Sequence, residues 1–299
     1  MTARSPRISG LWLALGAYSW WGLVPIYFRA LRPMSALVVV GWRVVLSVPV
    51  LLALVAVTRQ GPAMLRAARQ PKTLAMLALS TLLIATNWLV YVYAIGADHV
   101  YAASIGYYLN PLVNIALGTL FLGERLRRRQ WTAVGLGGLA ALVLLAGAGD
   151  TLAISIALAF SFSLYGMVRK LAPVESLPGL TIETVLLALP AAGVLYWQAA
   201  QGAPAAFGVS AGRDVLIAIA GLVTAIPLLM FAAAARRMDF STLGFCQYLS
   251  PTLQMLVGIF VFHEKMHPAQ MAAFAVIWCA VALFVWDALA VRRGSNARA

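Results

Sequence analysis

Residues 101–133 read YAASIGYYLNPLVNIALGTLFLGERLRRRQWTA, and residues 241–273 read STLGFCQYLSPTLQMLVGIFVFHEKMHPAQMAA. Set against each other at an offset of 140 residues, the two stretches align without a gap. Tyr108, Leu109, Pro111, Gly118, Glu124, Gln130 and Ala133 meet Tyr248, Leu249, Pro251, Gly258, Glu264, Gln270 and Ala273. The register continues upstream, where Ala85, Leu89 and Ala94 meet Ala225, Leu229 and Ala234. Coincidences of Ala and Leu are cheap in an apolar chain. A Tyr-Leu-x-Pro and a Gly-x5-Glu sharing one register are not, and they mark an internal repeat.

The rest of the 299-residue chain says what kind of repeat this is. It is 63% hydrophobic and 10% charged, with a mean hydropathy of +0.89. A water-soluble chain of this length needs far more charge to cover its surface, so the solvent implied is a bilayer. Hydropathy, broken at charges, Gly and Pro, predicts ten spans: Ile8–Ala30, Ser35–Val57, Thr73–Gly96, Tyr101–Leu122, Trp131–Gly147, Thr151–Leu171, Pro178–Gln198, Val215–Ala235, Ser241–Phe262 and Ala269–Val291. Each is near the roughly 20 residues that cross a hydrocarbon core. The polar gaps near Thr58–Lys72 and Gln201–Gly212 read as loops. Arg4 and Arg7 precede the first span, but its apolar run is too long for a signal peptide. Cys246 and Cys279 lie inside apolar segments and read as small buried hydrophobes, with no metal or disulfide framework implied.

The net charge of +13 raises nucleic acid as a partner, but the cations fall in short runs between spans rather than on one soluble face. They fit membrane orientation better. One side collects seventeen: Arg4, Arg7, Arg59, Arg66, Arg69, Lys72, Arg125, Arg127, Arg128, Arg129, Arg169, Lys170, Arg236, Arg237, Arg292, Arg293 and Arg298. The other side has Arg29, Arg32, Arg213 and Lys265, and Arg43 falls within a span. The positive-inside rule then makes both termini cytoplasmic and the protein multi-pass.

Five spans per repeat is an odd number, so the second copy must enter the membrane upside down. The cations agree. After Glu124 the chain reads Arg-Leu-Arg-Arg-Arg, whereas after Glu264 it reads Lys-Met-His-Pro-Ala. The Gly96–Tyr101 junction carries no cation, while its partner carries Arg236 and Arg237. The expected fold is an all-α membrane protein of ten transmembrane helices in two inverted five-helix repeats, residues 1–147 and 148–299. Such repeats are typical of secondary transporters, in which related halves exchange roles to open either side.

Particular runs sharpen this expectation: Ala17-Tyr18-Ser19-Trp20-Trp21-Gly22, Asn87-Trp88, Gly106-Tyr107-Tyr108-Leu109-Asn110-Pro111-Leu112-Val113-Asn114 and Leu122-Gly123-Glu124-Arg125 in the first half. The second half adds Phe160-Ser161-Phe162, Tyr165-Gly166, Val168-Arg169-Lys170, Ile182-Glu183-Thr184, Ser241-Thr242-Leu243-Gly244-Phe245, Gln247-Tyr248 and Pro251-Thr252-Leu253. Over nearly its whole length the chain resembles the EamA-type members of the drug/metabolite transporter superfamily, and within them the RarD group of chloramphenicol-sensitive proteins. His263-Glu264 departs from the superfamily's Gly-Glu pattern. The resemblance implies an inner-membrane permease working as an exporter, and it supplies no cargo.

Intramembrane charge is the first pointer to a site, because a central Arg or acid costs about 2.5–3.5 kcal/mol on insertion scales. Arg43 and Glu183 lie 140 residues apart, at equivalent places in the two halves. One reading has both facing a central pathway, Arg43 attracting an anionic group and Glu183 an amine or a coupling proton. The other makes them a structural charge pair, or side chains snorkelling to opposite surfaces. A second pointer is a pair of stripes: Tyr107, Asn110 and Asn114 share a helical face, as do their repeat partners Gln247, Ser250 and Gln254. Polar stripes avoid lipid, so both should point inward, as a cavity lining or as interhelical hydrogen bonds. Asn87 and Tyr91 share a face but meet Pro227 and Phe231 in the other copy, a weaker hint. Among the aromatics, Trp21 and Tyr165 are candidates to stack on a cargo. Glu124 and Glu264 read as caps for the helix that follows each, or as partners of Arg125 and Lys265.

An intramembrane enzyme and a non-transporting scaffold compete with this reading. The chain holds no His-Glu-x-x-His, Gly-x-Ser-x-Gly or P-loop, and no nucleophile–base pair is visible. Inverted duplication with polar inward faces argues against a scaffold, and the absence of a repeated filter segment argues against a channel. The expected partners are the bilayer, a small solute and a coupling proton, with no cofactor and the oligomeric state open.

Overall fold

The structure, a computed structural model, describes residues 6–97, 99–146, 149–263 and 268–296. Among these residues it is all-helical: α1 (Pro6–Ala30), α2 (Ala36–Val57), α3 (Gly61–Arg69), α4 (Pro71–Gly96), α5 (Val100–Phe121), α6 (Arg128–Ala146), α7 (Leu152–Leu171), α8 (Ser176–Ala200), α9 (Ala211–Ala218), α10 (Ala220–Ala235), α11 (Phe240–Gln247), α12 (Leu249–Phe260) and α13 (Pro268–Asn296). The expected boundary at residues 147–148 lies outside the described residues, as do Glu264 and Lys265.

Local chemistry explains several ends and breaks. Ser35 caps α2, its hydroxyl accepting from the N–H of Val38 at 3.3 Å, and Ser210 caps α9 through the N–H of Arg213. The polar gap after α2, expected to be a loop, instead contains α3. Pro62 sits in its first turn and Arg66 and Arg69 in its last, which suits the helix dipole at both ends. Its apolar side, Met64, Ala67 and Ala68, packs on Leu74, Leu77 and Ile182. The eighth and ninth expected spans are each two helices, broken at Ile219 and Tyr248. Pro251 stands in the first turn of α12, where its missing N–H costs nothing, whereas Pro111 is carried inside α5.

Seven stretches of the described residues are long and apolar enough to cross a membrane: Ser9–Ala30, Ala36–Val57, Pro71–Ala94, Leu152–Leu171, Ser176–Ala200, Ala211–Ala235 and Phe240–Phe260. A shorter apolar helical stretch is Met271–Asp287. Helix α5 is not in that set, and its sequence says why: Tyr107, Tyr108, Asn110 and Asn114 dilute its hydropathy. Large side chains such as Val57, Leu189, Tyr196 and Phe260 project outward all around the bundle, an apolar exterior that water would not tolerate and lipid would. Cys279 follows the same logic. It is exposed rather than buried, because a thiol facing lipid needs no burial.

The packing partners are specific. Helix α5 packs on α7 and α11, and α1 packs on α10, α11 and α12. Helix α4 lies against α7 and α8, α10 against α1 and α2, α2 against α8, and α6 against α13. The two largest of several apolar clusters account for most of this packing. Tyr18, Phe162, Tyr165, Phe231, Phe240 and Leu243 fill the middle, with Tyr165 stacked on Phe231 at 6.0 Å. Phe245 and Phe284 stack at 3.8 Å where α13 joins α11, beside Tyr108 on Phe274. Gly221 brings α10 onto α2 so closely that a Cβ there would overlap the backbone of Leu46 and Ser47. The Ser47 hydroxyl crosses the same contact, 2.6 Å from the carbonyl of Arg43 and 3.2 Å from that of Gly221.

Candidate functional site

A cavity of about 670 Å³ runs into the bundle between α1, α2, α4, α5 and the α11–α12 pair. Its mouth is formed by the exposed Arg29 and Arg32 with Phe262, and its floor by Ile84, Asn87, Leu228 and Tyr18. That volume is within the range of small-molecule sites, roughly 300–1,000 Å³.

Nine of the twelve sequence-predicted site residues line it: Arg43, Asn87, Tyr91, Tyr107, Asn110, Gln247, Ser250, Gln254 and Trp21. Arg43, 9% exposed, projects from α2 with its Nε donating to Thr224 Oγ1 at 2.7 Å, and its guanidinium carbon lies 5.1 Å from the Phe28 ring centre and 5.6 Å from that of Trp88. Asn87 turns its Nδ2 to the carbonyl of Leu158 and the hydroxyl of Ser161, both at 3.0 Å, tying α4 to α7. Tyr91 and Tyr107 face each other with ring centres 6.0 Å apart. Gln254 Nε2 donates to the carbonyl of Trp21 at 3.2 Å, fixing α12 on α1. Trp21 itself sits among Tyr18, Phe162 and Phe231. Asn110 is 0% exposed, and both atoms of its amide lack a hydrogen-bond partner among the described residues.

The other three lie deeper, towards the opposite end. Asn114 donates from Nδ2 to Gln247 Oε1 at 2.8 Å, so the two polar stripes meet there and only the outer part of the α5 stripe reaches the cavity. Tyr165 is core, stacked on Phe231. Glu183 does not line this cavity: it borders a smaller void of about 20 Å³ with Tyr165. Its Oε1 accepts from Ser80 Oγ and lies 3.6 Å from Arg169 Nε, both charged side chains being almost wholly buried. Arg169, which the sequence places among the surface cations, is the largest fully buried side chain. The available signal was Tyr165, one helical turn before it and in the same motif-bearing helix.

This end is closed by charged groups on helix termini. Lys170 Nζ donates to the carbonyls of Ala235 at 3.0 Å and Met238 at 2.6 Å. Arg236 donates to the carbonyls of Ala172, at 2.9 Å, and Val174. Cations on C-terminal carbonyls and anions on N-terminal N–H groups both suit the helix dipole. Glu124 supplies the anion. It caps no helix of its own hairpin: its carboxylate accepts from the N–H groups of Phe240 at 2.5 Å and Ser241 at 2.8 Å, at the start of α11. Gly118 makes room, since a Cβ there would lie 2.6 Å from Glu124 Oε2 and 2.8 Å from Ser241 Oγ. The Gly-x5-Glu spacing therefore serves a long-range cap, which local reading could not assign. Farther out, Asp287 pairs with Arg127, Nη2 to Oδ2 at 2.5 Å.

Among the described residues no group of His, Cys, Asp and Glu is placed to hold a metal. The cavity offers shape, aromatic surface and a few polar groups, which suit binding.

The EamA-like transporter family matches residues 8–146. "Protein RarD" of Streptomyces exfoliatus is 44% identical over 299 residues, 100% of this chain and 95% of that protein. A Vibrio cholerae protein named "Uncharacterized transporter" is 40% identical over 94% of this chain and 93% of its own. A solved crystal structure shares the fold, with a TM-score of 0.72 at 20% identity over 94% of this chain and 98% of the other. The chain belongs to the RarD proteins of the EamA-like transporter family.

Proposed function

We propose that the chain is a secondary transporter of the inner membrane that exports a small metabolite or drug-like solute by alternating access, through two inverted five-helix repeats spanning 1–147 and 148–299. The observation that carries the reading is a solute-sized cavity open at the Arg29 end and closed, at the other, where Glu124 of the first half caps α11 of the second. The neighbour pattern supports the duplication. Under the 140-residue offset α1 exchanges with α7, α4 with α10, and α5 with α11–α12. The packing of α5 on α7 then mirrors that of α12 on α1, and α4 on α7 mirrors α10 on α1. Helices α2 and α8, and α6 and α13, pair with their own counterparts across the axis. With the cation-rich end cytoplasmic, as are both termini, this conformation is outward-open.

Reconstitution tests it. Proteoliposomes loaded with a panel of amino acids, amines, organic acids and chloramphenicol-like amphiphiles should show saturable exchange of at least one solute. Bulky replacement of a cavity residue such as Ser250→Trp should suppress that exchange with normal expression. The absence of flux or ligand-induced stabilisation for every solute would favour a scaffold.

A further inference from the structure

Resting on the transporter reading, we propose that the cavity selects an organic carboxylate with an aromatic or apolar body, its acid group docking on Arg43. Three arginines line the cavity, two at the mouth and Arg43 within, and no Asp or Glu does so among the described residues. Clefts lined by one sign of charge and walled by apolar groups concentrate solutes of the opposite sign.

Among the described residues Arg43 is a charge without a counter-charge. The one hydrogen bond of its guanidinium among the described residues is Nε to Thr224, and it forms no ion pair there. The two Nη groups have no hydrogen bond among the described residues, and Phe28 and Trp88 flank the guanidinium. A carboxylate is the planar, two-oxygen partner that this fork accepts in parallel hydrogen bonds. The other deep charge, Glu183, is already paired with Arg169 and outside the cavity, so it does not cancel Arg43.

The remaining lining sets the body of the solute. Trp21, Trp88 and Phe162 offer apolar and aromatic faces, and a single deep cation suits a monoanion better than a phosphate dianion. Asn110 adds an unpartnered buried amide that can donate to or accept from a second polar group of the ligand.

Three compounds sharing one ring decide the matter: indole-3-acetate, indole-3-acetamide and tryptamine, tested by thermal shift and direct binding on the full chain in zwitterionic nanodiscs. The acetate should bind at least tenfold more tightly than the amide, and tryptamine should not compete. Arg43→Gln should abolish the difference between acetate and amide, and Arg43→Lys should keep part of it. The comparison on the unmutated protein stands even where Arg43→Gln does not fold. Equal binding of acetate and amide, preference for the amine, tighter binding of phenyl phosphate, or no binding of any of the three overturns the proposal. If another solute still exchanges in proteoliposomes, the transporter reading survives that result; if none does, both fall.

Discussion

Arg169 Nε and Glu183 Oε1 lie 3.6 Å apart, at 0% and 3% side-chain exposure, joining α7 to α8 at the closed end of the cavity. Ser80 donates to the same carboxylate oxygen and Arg169 Nη2 donates to the carbonyl of Ser176 at 3.0 Å, so three helices, α4, α7 and α8, meet at one ion pair. Gly179 is part of the arrangement, because a Cβ there would collide with the guanidinium.

A buried pair of this kind is costly to break on one side, about 3–5 kcal/mol, because a lone buried charge remains, whereas replacing both partners by apolar residues is often neutral. Glu183→Ala should therefore lower unfolding stability in detergent by about that amount, and Arg169→Met with Glu183→Leu should restore most of it. Flux normalised to folded protein should survive in the double variant. Loss of proton-driven flux at unchanged stability in Glu183→Gln would instead return Glu183 to the role of a coupling acid.

The contact of α10 with α2 gives a steric prediction. Gly221→Ala forces a methyl group onto the backbone of Leu46 and Ser47, where nothing can swing aside. Overpacking of this kind costs about 1–3 kcal/mol. Gly193→Ala, in α8 with open space around its Cβ position, should leave the midpoint of unfolding unchanged or slightly raised. Equal behaviour of the two variants in a detergent melt would contradict the close approach.

Asn114 and Gln247 join the two polar stripes through a hydrogen bond of 2.8 Å. Interhelical bonds in membranes average about 0.6 kcal/mol, so a double-mutant cycle of Asn114→Ala and Gln247→Ala should give a coupling of that order. Solute binding should fall more in Gln247→Ala, whose side chain also lines the cavity, than in Asn114→Ala. Equal losses would place the ligand lower than the cavity floor.

What the sequence made legible follows from where the energy lies. Seven of the ten expected spans and the polar stripes were readable because hydropathy and period are local properties, and nine of the twelve expected site residues line one cavity. Helix α3 was missed because a nine-residue helix in a basic, polar gap has no hydropathic signature, only its Pro and terminal arginines. Arg169 was misplaced because a cation at the end of a span looks the same whether it meets phosphate headgroups or a buried carboxylate. Its partner is 14 positions along the chain and on another helix. Glu124 was assigned the right chemistry and the wrong helix, since its targets lie 116 and 117 residues away.

Glu124 also yields a prediction about conformational exchange. Its carboxylate holds the start of α11 against the end of α5, and Gly118 provides the space. In the inverted-repeat reading the same parts recur as Gly258 and Glu264, whose 140-residue counterparts of Phe240 and Ser241 are Val100 and Tyr101. Alternating access then requires one clamp to release as the other engages. Hydrogen bonds to a charged group contribute about 1.5–3 kcal/mol, enough to shift such an equilibrium about tenfold or more when one is lost. Glu124→Gln should therefore increase labelling of Leu117→Cys, buried near the closed end, by an impermeant maleimide applied from the Arg127 side. Glu264→Gln should decrease that labelling, by disfavouring closure of the mouth. Labelling that rises in both variants, or in neither, would mean that the two glutamates are independent helix caps with no part in the exchange.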